Sequence, residues 1–422
     1  MEKRYYPQVD ETLYREKLEN GLTVLVVPRP GFRKKLCYFA ADYGSIHRSF
    51  RENGEDFSAP MGVAHYLEHT LFSKPGRDIP GEFAALGASP NAFTGYDMTA
   101  YYFVCTDYFD KCLELLLDFV SKPSFTAEAV EKERGIITQE ILMNKDNPDT
   151  VIFEELMQKM YTAHPAVEPI LGTEESVQQI TPEILQRCHN AFYHPSNMVL
   201  CVVGDVNPEE VVTIARNTLP NTPLPQVERL RQWPEEMTCA THLTRTNMEV
   251  AMPTFQLSFK AEDVGQGKES VIREIIGELA AETLFGESSP LYLRLYDQGI
   301  IDNSFGGGFD TMEGLAMLSA GGDSLKPELV LEGILESAQT ILREGLDPDT
   351  FMRMKRSSFG RRIRGLDSFD PVCFRLCACH FVDFDYFELP GLYQQVQPAD
   401  ILEFIEKTVT PERACLCVID PL

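Results

Sequence analysis

The sequence GVAHYLEHTLF, residues 62–72, places His65, Glu68 and His69 within five positions. On an α-helix, positions i and i+4 lie on one face with their Cβ atoms about 5–6 Å apart. That spacing allows His65 and His69 to bind a single zinc ion at about 2.0–2.1 Å each. Glu68 lies on nearly the same face and can act as a general base toward a water molecule. The segment therefore predicts an inverted H-x-x-E-H zinc site.

A third protein ligand must come from another segment, because a catalytic zinc usually has three ligands and one open position. The best candidate is the helical segment 128–149, in which Glu133 and Glu140 are seven residues apart on one helical face. Glu140 stands among apolar neighbours, and a carboxylate facing inward there needs a partner such as a metal. The alternative is a pair of structural histidines and solvated glutamates. The two segments together favour the metal site.

Composition limits the class of protein. The chain has 422 residues, enough for two domains with full cores, and 44 % of them are hydrophobic. The formal net charge of −26 argues against nucleic acid as a partner. Such a charge mainly favours solubility, although an acidic cavity could also attract cationic peptides. No apolar run approaches the roughly 18–20 residues that cross a bilayer, and the polar first residues lack a signal-peptide pattern. We expect a soluble cytoplasmic protein without membrane partners.

The eleven cysteines show no spacing typical of a disulfide framework, so we expect reduced thiols. Cys373, Cys377, Cys379 and His380 lie in CFRLCACH and superficially suggest a second metal site. Zinc ribbons and iron–sulfur sites usually need CxxC-type spacing and a second ligand pair. We interpret the segment as the apolar face of a helix, in which cysteine acts as a small hydrophobic residue.

Hydrophobic patterning indicates a duplicated fold. Strand patterns occupy 21–30, 35–45, 98–106 and 196–206, and helical patterns occupy 61–72, 107–120 and 126–143. A proline-rich stretch follows at 219–236. After it, GELAAETLFG (277–286) is similar to HYLEHTLF, and ACLCVID (414–420) is similar to VLCVVGD (199–205), at nearly the same offset.

The predicted fold class is α+β, with two homologous domains that each contain a mainly antiparallel sheet packed with helices. We predict a catalytic zinc-binding domain in 1–218, a linker in 219–236 and a second, degenerate copy in 237–422. In that copy Glu278, Ala281 and Glu282 stand where His65, Glu68 and His69 stand in the first. Only the first copy is therefore expected to hold a metal.

These motifs resemble the pitrilysin/insulysin family of zinc peptidases over nearly the whole chain. The resemblance rests on HYLEHTLF and on three further segments, ERGIITQEI (133–141), NAFTGYDMTAYYF (91–103) and YHPSNMVLCVVGDV (193–206). The chain is most similar to the short bacterial, YmfH-like members of the processing-peptidase subfamily (subfamily B). The resemblance implies a half-clamshell of two domains and a zinc-dependent endopeptidase.

The resemblance also implies roles for particular residues. His65, His69 and Glu140 would be the ligands of one Zn²⁺ per chain. Glu68 would be the general base, and Glu133 an acidic residue that supports the site.

The peptide substrate would bind as an added β-strand along an exposed sheet edge, which the resemblance places at Asn91, Ala92, Phe93 and Thr94. Main-chain hydrogen bonds of this kind tolerate varied peptide sequences. On the sequence alone, an ordinary strand start after the turn at 87–90 is an equal alternative.

One segment departs from the family pattern. Family members usually carry an arginine and a tyrosine that bind the substrate carbonyl, but here Tyr296 and Asp302 occupy those positions and Arg294 lies two positions early. We therefore expect a heterodimer with a paralogous subunit that lacks zinc, with a homodimer as the alternative. The basic run 353–364 could meet that partner or a substrate carboxylate, but a solvated helix face is the preferred interpretation.

The predicted function is a zinc-dependent endopeptidase that cleaves peptides or unfolded segments inside a dimeric chamber. A non-catalytic, peptide-binding subunit is the first alternative. A maturase specific for one leader peptide is the second. Retention of the whole ligand set together with Glu68 favours the endopeptidase.

Overall fold

The computed structural model describes residues 1–231 and 233–422. Residue contacts divide the chain into two compact units. The first unit contains Met1–Leu142, the described part of 168–232, and Ile363–Glu388. The second contains Met143–Val167, Trp233–Arg362 and Leu389–Leu422. Each unit thus includes one segment from the opposite half of the chain, and the predicted boundaries at 218 and 237 stay a prediction.

The strands alternate with helices along the chain. The strands are β1 (Glu2–Tyr6), β2 (Glu11–Lys17), β3 (Thr23–Pro28), β4 (Lys35–Ala41), β5 (Ser49–Glu52), β6 (Glu55–Ser58), β7 (Ser89–Thr94), β8 (Thr99–Cys105), β9 (Met198–Gly204), β10 (Val227–Arg229), β11 (Leu243–Met248), β12 (Thr254–Ala261), β13 (Gly306–Met312), β14 (Leu315–Asp323) and β15 (Ala414–Pro421). The helices are α1 (Val63–Phe72), α2 (Ile79–Ala85), α3 (Phe109–Ser121), α4 (Ala127–Lys145), α5 (Pro148–Met160), α6 (Glu174–Val177), α7 (Pro182–Phe192), α8 (Pro208–Thr218), α9 (Gly267–Phe285), α10 (Pro290–Asp297), α11 (Pro327–Glu344), α12 (Pro348–Gly365), α13 (Phe369–Phe381), α14 (Leu389–Gln395) and α15 (Pro398–Thr408).

The two main sheets share a strand order. The first unit has a seven-stranded sheet, β1-β2-β3-β9-β4-β8-β7, and the second a five-stranded sheet, β11-β15-β12-β14-β13. In the first sheet, β9 pairs in parallel with β3 and antiparallel with β4. In the second sheet, β15 pairs in the same way with β11 and β12. The last five strands of the first sheet therefore correspond one by one to the five strands of the second. The prediction of an α+β fold built from two mainly antiparallel sheets is confirmed.

Both faces of the first sheet are covered, because its central strands are apolar on both sides. β4 and β9 are buried along almost their whole length. On one face Phe39 and Leu200 belong to a core shared with α1, α3 and α7. On the other face α13 packs against both strands, and the Tyr38 hydroxyl donates to Asp370 Oδ1 at 2.7 Å.

A reciprocal exchange of helices links the two halves of the chain to the opposite sheets. α13, from the second half, packs on β4 and β9 of the first unit. α5, from the first half, packs on β12 and β15, the corresponding strands of the second unit. The same position on each sheet is thus filled by a helix from the other half.

The cysteines of α13 behave as core residues. Cys373 and Cys377 are fully buried, and the Cys373 thiol donates weakly to the backbone oxygen of Cys201 at 3.9 Å. The interpretation of CFRLCACH as an apolar helix face is confirmed for these two residues, while Cys379 and His380 are partly exposed. All eleven cysteines are free thiols.

The segment predicted as a linker is divided between the units, with its part before Gln232 in the first unit and 233–236 in the second. β10 pairs antiparallel with β5 in a small sheet of order β10-β5-β6. Gln232, which falls within the predicted linker, lies outside the described residues. Within the described parts of the chain, no helix combines the length and the apolar character needed to cross a membrane.

A glycine fixes the start of α1. Gly62 precedes the helix with φ +85°, and a Cβ added there would lie 2.3 Å from the backbone oxygen of Leu171. Gly31 has nearly the same φ, +83°, but a Cβ there would meet nothing within 4 Å. Substitutions at the two glycines therefore separate the free-energy cost of the left-handed backbone conformation from the free-energy cost of the close contact.

We predict that Gly62→Ala lowers the free energy of unfolding by roughly 3 kcal/mol, about 1–2 from the left-handed conformation and about 1–3 from overpacking. Gly31→Ala, the control, should lose only the first contribution. Urea denaturation of both variants measures the difference. Equal losses in the two variants would show that the contact with Leu171 does not constrain α1.

Candidate metal centre

Helix α1 presents the H-x-x-E-H segment on its inner side. The helix packs against strand β7, and His65 and Glu68 are only 7 % and 9 % exposed. The His65 and His69 rings lie one helical turn apart, with their centroids 4.6 Å from each other. The predicted helical spacing therefore brings the two imidazoles together.

Helix α4 supplies a carboxylate to both imidazoles. Glu140 Oε2 lies 3.7 Å from His65 Nε2 and 3.6 Å from His69 Nε2. One ligand atom from each of the three residues lies within 4.8 Å of the others. Two ligands of a tetrahedral zinc at about 2.0–2.1 Å lie roughly 3.3–3.4 Å from each other. The observed spacing is therefore close to that of a zinc site and needs only small side-chain shifts.

Glu133 lies on the same helix and contacts the other nitrogen of one imidazole. Its Oε2 is 3.4 Å from His69 Nδ1, and Glu133 is buried. A carboxylate at Nδ1 fixes the tautomer that leaves Nε2 available as a ligand, as is common around metal-bound histidines. Glu133 therefore lies where it would support a ligand rather than serve as one.

The two histidines have different electrostatic surroundings. Burial, with a smaller contribution from His69, lowers the pKa of His65 to about 3, so its ring is neutral at pH 7. Burial also opposes charge on His69, but the hydrogen bond to Glu133 and the nearby carboxylates of Glu68 and Glu140 outweigh it and raise its pKa. An excess of carboxylate around two imidazoles suits a divalent cation.

The donor set fits zinc. Two imidazole nitrogens and one carboxylate oxygen match the ligands of catalytic zinc sites. Among the described residues, His65 Nδ1 is buried without a hydrogen-bond partner, so this ring, unlike that of His69, has no carboxylate at Nδ1 to orient it. Within residues 1–231 and 233–422, this is the one cluster of three or more histidine, cysteine, aspartate or glutamate side chains close enough to hold a metal.

Glu68 stands beside this cluster but outside the ligand group. Its Oε2 accepts a hydrogen bond from Thr94 Oγ1 at 2.5 Å. Burial raises the pKa of Glu68, against the effects of the Thr94 hydrogen bond and of His69. Thr94 was expected only in the substrate strand. The sequence gives no signal for its bond to Glu68, because the two residues are 26 positions apart and lie on different elements.

The predicted substrate strand lies at a sheet edge. β7 is the last strand of the seven-stranded sheet and pairs on one side with β8. Asn91 is exposed, and Ala92, Phe93 and Thr94 are partly exposed. The four residues therefore form an accessible edge, and their role in substrate binding stays a prediction.

In the second unit, the helix that corresponds to α1 carries glutamates instead of histidines, and these glutamates pair with arginines. Glu278 and Glu282 on α9, which match His65 and His69, pair with Arg362 and Arg361 of α12. Arg362 also contacts Glu274 at 2.9 Å. The interpretation of the basic run as a solvated face is wrong at Arg362, whose side chain is only 13 % exposed. Periodicity alone missed this because the acidic partners come from a distant helix.

Arg294, which lies two positions before the family's arginine, and Asp302, which stands in place of the family's tyrosine, each have a structural partner. Arg294 Nη1 lies 3.0 Å from Glu336 Oε2 of α11. Tyr296 is half-exposed, and Asp302 accepts hydrogen bonds from the backbone nitrogen and hydroxyl of Ser304 in a turn. The side chain of Arg294 therefore binds to helix α11, and that of Asp302 stabilises a turn.

Comparisons with known proteins agree with this geometry. The family model described as Insulinase (Peptidase family M16) matches residues 54–174, and the model described as Peptidase M16 inactive domain matches residues 179–358. The chain is 35 % identical to the zinc protease YmfH of Bacillus subtilis (strain 168), over 99 % of this chain and 98 % of the relative.

Solved structures show the same fold. An M16-like peptidase from Alicyclobacillus acidocaldarius is similar with a TM-score of 0.93 and 31 % identity, over 98 % of this chain and 99 % of that one. Pitrilysin is similar with a TM-score of 0.79 and 18 % identity, over 99 % of this chain and 46 % of pitrilysin. The chain belongs to peptidase family M16, and the family resemblance inferred from the motifs is confirmed.

Glu133 provides a test of the metal centre that leaves all three ligands in place. We predict that Glu133→Ala lowers zinc affinity by about 10- to 100-fold, because His69 loses the carboxylate that orients its ring. Glu128→Ala, an exposed position on the same helix, is the control and should bind zinc like the wild type. Competition with a chromophoric chelator measures both affinities. Unchanged affinity in Glu133→Ala would contradict the supporting role.

Arg362 tests the ion pairs of the second unit. We predict that Arg362→Met lowers the free energy of unfolding by about 2–4 kcal/mol, because it removes a largely buried guanidinium that pairs with both Glu274 and Glu278. Arg361→Met, whose side chain is 52 % exposed, should change stability by less than about 1 kcal/mol. Denaturation monitored by circular dichroism compares the two. A similarly small decrease in the free energy of unfolding of both variants would show that the ion pairs of Arg362 do not stabilise the second unit.

Proposed function

We propose that this chain is a zinc-dependent endopeptidase that cleaves peptides or unfolded segments bound along strand β7. The observation that carries the proposal is the convergence of His65, His69 and Glu140, with Glu68 beside them at an accessible sheet edge. The names of two similar proteins, a zinc protease and an M16-like peptidase, support the same activity. A purely structural cluster has no need of a buried carboxylate next to two ligand histidines.

The residues divide the chemistry between them. His65, His69 and Glu140 would hold the zinc, which supplies a Lewis acid to polarise the scissile carbonyl and activate water. The Glu68 carboxylate accepts a proton from the attacking water and later donates it to the leaving amine nitrogen. The backbone of β7 aligns the peptide as an added strand, so the scissile bond is positioned by main-chain hydrogen bonds.

One zinc per chain is part of the proposal. The second unit has glutamates where the first has histidines, and arginines of α12 neutralise them. A divalent cation would have to displace these guanidinium groups. We therefore assign a catalytic role to the first unit and a structural role to the corresponding helix of the second.

We further propose a heterodimer in which a paralogous subunit without zinc completes the substrate chamber. Arg294 is engaged by Glu336, and Asp302 closes a turn, so neither takes the place of the family's arginine–tyrosine pair. The chain also spans only about half the length of pitrilysin. A homodimer is the alternative. A cytoplasmic location stays a prediction.

Substitution of Glu68 distinguishes a loss of catalysis from a loss of metal binding. We predict that Glu68→Gln, in the complex purified with its native partners, lowers cleavage of a quenched mixed-peptide library by about 10²–10⁴-fold and still binds one zinc per chain. Glu131→Gln, an exposed position on α4, is the control. Loss of zinc from Glu68→Gln would show that Glu68 acts as a ligand instead.

The same assay tests the alternatives. If the zinc-loaded wild-type complex leaves all peptides intact, the chain is a non-catalytic subunit. If it cleaves one peptide and no others, it is a specific maturase. Full activity of the chain purified alone as a homodimer would contradict the heterodimer.

A further inference from the structure

We propose that Thr94 is a positioning residue that orients the carboxylate of Glu68 and so couples the peptide-binding strand to the general base. The inference rests on the proposed function but goes beyond it, since Thr94 was expected only to offer its backbone to substrate. Thr94 Oγ1 donates to Glu68 Oε2 at 2.5 Å. Across residues 1–231 and 233–422, this hydroxyl is the hydrogen-bond donor that reaches the Glu68 side chain.

The surroundings of Glu68 make one hydrogen bond decisive for its orientation. The residue is only 9 % exposed, so bulk water offers little competition for its oxygens. Hydrogen bonds to an ionised carboxylate in such surroundings are short and about twice as strong as neutral ones. The terminal torsion of glutamate is broad and has no steep minimum of its own. A donor on Oε2 therefore selects one carboxylate plane and directs Oε1 as the oxygen that receives the proton.

Thr94 is itself held firmly. It ends β7 and pairs with Thr99 across the hairpin. The next residue, Gly95, donates its N–H to the Met98 oxygen at 2.8 Å and accepts from the Ser45 N–H at 3.0 Å. The β-branched side chain of threonine also restricts χ1. The hydroxyl is therefore presented from a fixed point rather than from a mobile loop.

The position of Thr94 explains why the coupling serves catalysis. Side chains alternate along a strand, so Ala92 and Thr94 face the side of α1, while Phe93 faces the opposite side. There the centroid of the Phe93 ring lies 5.9 Å from that of the Phe374 ring. A peptide added to β7 would pair with the same short backbone segment that carries the hydroxyl. The scissile carbonyl and the base are then both positioned relative to one strand.

Three variants test the effect of the Thr94 hydroxyl separately from that of the rest of the side chain. Thr94→Val keeps the shape and the branch at Cβ but removes the donor, and Thr94→Ser keeps the donor. Thr246→Val is the matched control, because Thr246 lies on the edge strand β11 of the second unit and donates to Glu155 Oε1 at 2.7 Å. All three are assayed in the complete complex by peptide cleavage and by zinc content.

We expect Thr94→Val to lower kcat about tenfold or more while KM stays within about twofold, because the base is misplaced and the backbone contacts to peptide remain. Thr94→Ser should recover most of the wild-type kcat, and Thr246→Val should match the wild type. Zinc content should stay at one per chain throughout. An unchanged kcat in Thr94→Val, a loss confined to KM, or failure of serine to restore kcat would overturn the proposal.

A second measurement does not depend on activity. Crystal structures of the zinc-loaded wild type and Thr94→Val should show a single Glu68 carboxylate orientation in the wild type and a rotated or divided one in the variant. The same orientation in both would overturn the positioning role. If the wild type cleaves nothing, the proposed function fails, while this comparison still decides whether Thr94 orients Glu68.

Discussion

The side-chain contacts between α1 and α4 are the interaction on which the candidate metal centre depends. They bring His65 and His69 against Glu133 and Glu140 in a largely buried setting, where polar groups must find partners. Among the described residues, Glu140 Oε2 lies 3.7 Å from His65 Nε2 and 3.6 Å from His69 Nε2, which is too far for a direct hydrogen bond to either ring. A divalent cation bound by both rings and Glu140 would bridge these three groups, and this ligand set is the basis of the zinc centre that we propose.

The second unit resolves the same contact with ion pairs. There the inward positions of α9 are glutamates, and the facing helix provides Arg361 and Arg362. The sheets keep the same strand order, and each receives a helix from the opposite half of the chain. Exchange of α5 and α13 means that neither sheet is covered by its own half alone. The two units therefore place different polar groups at the corresponding helix, a candidate ligand set in the first and ion pairs in the second.

Much of this follows from local sequence patterns. The spacing of His65, Glu68 and His69 predicts a helix with one reactive face, and the seven-residue spacing of Glu133 and Glu140 predicts a second. Alternation of apolar residues predicts the central strands. The pairing of sheets with helices could not be predicted, because an amphipathic helix such as α13 carries no local signal for the sheet that it covers. The Thr94–Glu68 hydrogen bond and the partly buried state of Arg362 depend on the same long-range packing.

Anomalous diffraction from crystals of the zinc-loaded chain, recorded on both sides of the zinc absorption edge, tests directly whether the first unit alone holds zinc. We expect one peak per chain, bounded by His65, His69 and Glu140, and none between α9 and α12. A chain that takes up no zinc, or a peak bound by other residues, would contradict this expectation.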